Sequence, residues 1–186
     1  MRLFLAIDLP PQLRDAIADV QERARRSCPG WRWARAEGIH LTLRFLGEVT
    51  PADETRQRET WRRAVARHPR IRFDVGGLGV FPGGGRPRVL WLGVKDASPA
   101  GDLGALAEEL EETARKLGFE PEERPFRAHL TLARAEREGR PVSPTPGGPL
   151  LASDVAAEEV VLFRSELGPG GARYSRVAAF PLGSGA

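Results

Sequence analysis

The sequence predicts an α+β protein: two pseudo-symmetric lobes of antiparallel sheet with helices packed outside, joined in a single bilobal domain spanning residues 1–186. Three observations lead there. Apolar stretches of strand character alternate with three segments whose apolar residues recur at helical spacing. Two Gly-Pro-rich turns sit between paired strand patterns. The order strand, helix, His-Leu-Thr-Leu strand, hairpin occurs twice, giving an internal repeat of approximately 1–87 and 88–186.

Residues 2–9 read as a buried first strand. They are apolar, but Asp8 interrupts the run and no small-residue cleavage pattern follows, so a secretion signal is not expected. Pro10 and Pro11 open a helix to about Arg26, with Leu13, Ile17, Val20 and Ala24 on one face, and Pro29-Gly30 end it. The first motif strand covers 39–49. Thr50 and Pro51, with Asp53 and Glu54 in the first turn, start a second helix that reaches His68; basic Arg67 and His68 suit the negative end of its dipole. His68 is accordingly a capping or solvent residue. Residues 71–80 and 88–95 flank the turn 81–87 and form an antiparallel hairpin. Its three glycines do not make a phosphate loop, because no Lys-Ser/Thr follows and the next element is a strand. A third helix, about 99–117, places Leu103, Leu106, Leu110 and Leu117 on one face and stops at Gly118. The second motif strand, a Pro-Gly-rich loop over 139–149 and a closing hairpin over about 158–182, turning at 168–171, complete the chain.

The motif itself carries the chemistry. His40-Leu41-Thr42-Leu43 and His129-Leu130-Thr131-Leu132 are the same four residues, in a chain with three histidines. Ordinary residue usage supplies Leu-Thr-Leu after a given His roughly once in a couple of thousand trials. A His in a half-buried strand commonly has a structural role and Thr is a good strand former, but folding gives no reason for both histidines. Side chains alternate along a strand, so each His shares a face with its Thr while the leucines face a core. If the strands are neighbours, two imidazoles and two hydroxyls converge. One imidazole accepts a proton while the other donates one near neutral pH, and the hydroxyls donate to oxygens carrying negative charge. That set suits phosphoryl transfer without an obligatory metal. Parity adds Arg44 to the face of His40 and Arg127 to the face of His129, each a phosphate ligand or a rim ion pair. Phe45 is either a core residue or a stacking surface for a base.

The doubled motif, the opening 2–10, the run 40–47, the stretch 126–134 and the ending 162–167 with its Gly-rich turn and Tyr174 resemble the 2H phosphoesterases. Within them the likeness is to the RNA 2',3'-cyclic phosphodiesterases, also described as 2'-5' RNA ligases. Ala128 stands where that family often carries proline. The resemblance implies a LigT-like fold and metal-independent hydrolysis of RNA 2',3'-cyclic phosphate ends to 2'-phosphates. It implies His40 as proton donor to the leaving O3', His129 as base on water, and Thr42 and Thr131 on the non-bridging oxygens; the residues alone do not distinguish the two histidines. It also matches Arg134 to a basic family position, although flat-strand parity puts Arg134 on the wrong face. Weak reverse 2'-5' ligation follows from microscopic reversibility.

Composition bounds the alternatives. No apolar run reaches membrane-spanning length, and the lone Cys28 allows no intrachain disulfide and no zinc cluster, so the reducing cytoplasm is the expected home; a monomer with no metal and no cofactor is expected as well. Residues 1–92 hold 17 Arg against 10 acids, or +7, and residues 93–186 hold 11 basic against 15 acidic residues, or −4. The basic half, including Arg56, Arg58, Arg62, Arg63 and Arg67 of the second helix, suits a polyanion, although helix charge is commonly just a solvated face. RNA ending in a 2',3'-cyclic phosphate is the expected partner. The competing readings are a non-catalytic RNA-end binding module, a cyclic phosphodiesterase of small nucleotides, and a two-His metal protein, the last disfavoured because the motif has no carboxylate.

Overall fold

The computed structural model of the protein describes residues 1–83, 86–136, 141–168 and 171–183. In chain order these form β1 (Arg2–Asp8), α1 (Pro11–Ser27), β2 (Trp31–Trp33), a 3-10 turn (Ala36–Gly38), β3 (His40–Glu48), α2 (Pro51–Ala66), β4 (Ile71–Phe81), β5 (Val89–Asp96), α3 (Asp102–Lys116), β6 (His129–Ala135), β7 (Gly147–Ala157), β8 (Glu159–Gly168) and β9 (Gly171–Pro181). The strands make one curled antiparallel sheet in the order β7-β4-β5-β6-β3-β1-β8-β9, with β2 attached to β6. Its midline is the β3–β6 seam. Four strands lie to either side, and each side draws on both halves of the chain: β4 flanks β5, whereas β8 and β9 flank β1.

The helices form where capping and apolar spacing agree. Pro11 occupies the first turn of α1, where its missing N–H needs no partner. Leu13, Ile17 and Ala24 are buried as expected, but Gln21 rather than Val20 takes the remaining buried place. Gln21 Nε2 donates to the Ala34 and Leu132 carbonyls at 3.0 Å each, which satisfies the buried amide and ties α1 to the strands beside the seam. Thr50 caps α2, its Oγ1 accepting from the Asp53 N–H at 3.1 Å. Helix α3 has Gly101 at its N-cap, and Asp96 at the end of β5 takes over that work: its Oδ2 accepts from the Leu103 N–H at 2.7 Å.

The main core lies between the helices and one face of the sheet, built from Leu3, Leu5, Ile7, Leu41, Leu130, Trp61, Leu106 and their neighbours. The other face carries a small separate cluster of Phe4, Ala6, Val161 and Phe163. Among the described residues no helix covers that face, which carries the two motifs.

Two strands differ from expectation. The three-residue β2 is too short to show a period of two. Residues 147–157 form β7, where the sequence suggested loop to 149. This edge strand is largely exposed and meets β4 with three register irregularities, so its side chains never alternate cleanly. Residues 137–140, which include 139–140 of the expected loop, lie outside the described residues, as do 84–85 and 169–170 in the two glycine turns.

Candidate active site

Strands β3 and β6 are held together at one point, Leu41 opposite Leu130, and diverge from there. Extending that antiparallel register by one residue sets His40 opposite Thr131 and Thr42 opposite His129. Directly opposed residues point to the same face. The two imidazoles and the two threonine hydroxyls therefore share one face of the seam, while Leu41 and Leu130 are fully buried on the helix side.

Both imidazoles are oriented the same way. His40 Nδ1 lies 2.8 Å from the Gly38 carbonyl and His129 Nδ1 lies 2.6 Å from the Arg127 carbonyl, in each case two residues upstream. A carbonyl only accepts, so Nδ1 carries the proton and Nε2 is left as the atom that takes or gives one. Their surroundings differ. His40 stacks on Phe4 with ring centroids 4.6 Å apart and meets the edge of Tyr174 at 4.9 Å. Among the described residues His129 meets one ring, that of Phe81, edge to face at 5.1 Å. Burial is the main cause that lowers both groups, His40 to about 4; the Arg134 charge lowers both further, while Asp8 opposes the shift at His40.

Strand parity failed at the same place in both motifs. In β3 the pairing runs from Ala6 opposite Thr42 to Leu5 opposite Arg44, and in β6 from Trp91 opposite Thr131 to Leu90 opposite Ala133. Each motif strand thus holds one extra residue, Leu43 or Leu132, the second leucine of the motif. Such a bulge inverts the facing of everything after it. Arg44 consequently turns to the helix side and is 4% exposed. Its Nε lies 2.6 Å from Glu111 and its Nη1 3.0 Å from Glu122, and it also donates to the Phe45 and Glu120 carbonyls. The expectation that Arg44 reaches phosphate is corrected: it is a buried clamp between β3, α3 and the segment before β6. The same inversion brings Phe45 to the motif face, 54% exposed and 5.9 Å from Phe4. It equally brings Arg134 to the face of His129 and Thr131, where its charge acts on both imidazoles. Arg127 is exposed, with its guanidinium 5.8 Å from the Phe81 ring centre. His40, Thr42, Phe45, His129, Thr131 and Arg134 are gathered on one face, and Arg127 lies at its rim.

A sequence profile of the family described as LigT like Phosphoesterase matches residues 7–91 and 94–174, which contain both motif strands. The chain belongs to that family. A Methanothermobacter thermautotrophicus protein named RNA 2',3'-cyclic phosphodiesterase is 32% identical over 186 residues, covering 98% of this chain and 99% of the relative. A Geobacillus stearothermophilus protein of the same name is 32% identical over 181 residues; that match covers 96% of this chain and 56% of the relative's length. Among solved structures, that of a Thermus thermophilus protein superposes with a TM-score of 0.84 at 30% identity, covering 97% of each chain.

This LigT-like phosphoesterase also surrounds its histidines with residues that the motif does not announce. Phe4, Phe163 and Tyr174 line the His40 side, and Phe81 and Trp91 the His129 side. Ala6, between Phe4 and Asp8 on β1, packs with Phe4, Val161 and Phe163. Gly79 serves the other side: a Cβ there would lie 2.1 Å from the Trp91 ring, so only glycine lets the indole lie across β4. Asp8, opposite His40 in the ladder, is bound by Arg14 and by Arg176 at 3.1 Å. Parity along β1 would have placed Phe4, Ala6 and Asp8 together, but its other face is equally apolar, so the sequence does not say which face is which. Among the described residues no three His, Cys, Asp or Glu side chains cluster to hold a metal ion, and no helix is long and apolar enough to cross a membrane.

Proposed function

We propose that the protein hydrolyses RNA 2',3'-cyclic phosphate ends to 2'-phosphates without a metal, as a monomer in the cytoplasm. The observation that carries this reading is the pair of Nδ1–carbonyl bonds, which leaves two Nε2 atoms on the face that also carries both threonines. The names of the full-length relatives support the substrate class.

In this reading His129 Nε2 takes a proton from water as the water oxygen bonds to phosphorus, and the P–O3' bond breaks. His40, an imidazolium once the bound phosphoryl anion has raised it, gives its Nε2 proton to O3', leaving a free 3'-hydroxyl and a 2'-phosphate. Thr42 and Thr131 donate to the non-bridging oxygens, where charge gathers in the transition state. Arg134 acts on the same charge from the side, and Phe45 offers an exposed ring for a base. An RNA 5'-hydroxyl in place of the attacking water gives weak 2'-5' ligation by the same proton transfers.

The test is a short RNA with a 2',3'-cyclic phosphate end, assayed in excess EDTA with identification of the product isomer. The expected result is full activity and a 2'-phosphate. Activity lost in EDTA and restored by a divalent ion, or a 3'-phosphate product, would overturn the mechanism. Replacing both histidines by Gln is expected to abolish turnover; retained biological activity would instead favour an RNA-end binding module. A second reading, a cyclic phosphodiesterase of small nucleotides, draws support from the arginines of α2. They are paired with acids, Arg56 with Asp53, Arg58 with Glu54, Arg62 and Arg63 with Glu59, and Arg67 with Glu109, on a helix packed at the back of the sheet.

A further inference from the structure

Where β3 diverges from β6, β2 takes its place along the same edge of β6, and the ladder sets Arg32 directly opposite Arg134. Like charges in directly opposed positions destabilise a ladder. Both side chains are exposed, both point to the face of the motifs, and among the described residues neither has a carboxylate within ion-pair distance. This contrasts with α2 and its C-cap, where each arginine is answered by an acid on its own or the neighbouring helix. The two guanidiniums stand at one end of the seam, after the pairs Thr42/His129 and His40/Thr131, while Phe45 and Arg127 stand at the other end. Three residues of strand separate Thr131 from Arg134, about 10 Å when extended. Arg134 reaches back far enough to act electrostatically on both imidazoles.

We propose that Arg32, with Arg134, binds a second phosphate of the substrate: the internucleotide phosphodiester that joins the terminal nucleotide to the rest of the RNA. The inference rests on the RNA-end reading above and names how that site tells an RNA end from a cyclic mononucleotide. Two guanidiniums left unpaired beside a site for one phosphoryl group fit an anion held between them, and a fork of donors suits phosphate oxygens. Arg32 is a specificity residue here and takes no part in the proton transfers.

The experiment compares a nucleoside 2',3'-cyclic phosphate with a dinucleotide ending in the same group, in the wild type and in Arg32→Gln. The wild type is expected to show a lower KM for the dinucleotide. Arg32→Gln raises that KM about tenfold, as expected for one charge-assisted contact, and lowers the salt slope by about one. KM and kcat for the mononucleotide stay unchanged. A dinucleotide with an uncharged methylphosphonate linkage should behave like the mononucleotide in the wild type, a result that needs no variant. Equal effects of Arg32→Gln on both substrates, no effect on either, or a methylphosphonate as good as the phosphodiester would overturn the proposal. Calorimetric titration with the mono- and dinucleotide 2'-phosphates reads the same preference without turnover. Absent hydrolysis with the preference intact would therefore count against the RNA-end phosphodiesterase reading and not against the Arg32 site.

Discussion

His40 and His129 share a motif, a tautomer and a face, yet they do not share an environment. His40 stacks on Phe4 and meets the edge of Tyr174, with Asp8 as its ladder neighbour; among the described residues His129 meets one ring, edge to face, and has more access to solvent. Burial draws both below the ordinary value of 6.5, His40 to about 4, so the free site holds two neutral imidazoles at neutral pH. A bound phosphoryl anion favours imidazolium and raises both groups. The sign of the pH dependence follows. The pH profile of kcat/KM reports the free enzyme, so both of its limbs lie on the acid side of neutrality, whereas kcat reports the complex and peaks at higher pH. Profiles of both constants on one cyclic phosphate check this. A kcat/KM optimum at or above the kcat optimum would show that anion binding does not recharge the pair.

The bulges are the elements on which the site turns. Each motif strand inserts one residue at its second leucine, and the residue five places after each histidine, Phe45 or Arg134, is thereby returned to the motif face. The paired buried residues left behind are Leu43 with Arg44 and Leu132 with Ala133. Arg44 is accordingly structural. Arg44→Met should lower stability by about 1–3 kcal/mol, less than for a fully buried pair because Glu111 and Glu122 are 27% and 41% exposed and can recover water. Turnover of a cyclic mononucleotide, measured well below the melting temperature, should stay within roughly twofold of wild type. Urea denaturation and steady-state kinetics on the one variant decide it: a stable protein with a collapsed kcat would return Arg44 to the chemistry.

The sheet divides the protein into a back, where three helices cover the core, and a front, where the seam lies open. Net charge does not respect that division, because the +7 of residues 1–92 includes the α2 arginines, which sit at the back beside their acids. Arg62→Gln with Arg63→Gln should therefore leave KM for an oligonucleotide, and its salt dependence, unchanged; a clear rise in KM would mean that RNA wraps onto the helical side. The legible part of this protein was its chemistry and its element order. Two identical His-Leu-Thr-Leu runs name the acid, the base and the hydroxyls, and local periodicity outlines three helices and most strands, since both depend on near neighbours in the chain. The faces of Arg44, Phe45 and Arg134, the pairing of Arg32 with Arg134, the aromatic walls and the edge strand β7 were not legible. A bulge is a relation between a strand and its partner, and an ion pair such as Arg44 with Glu111 joins positions far apart in sequence, so neither leaves a local period to read.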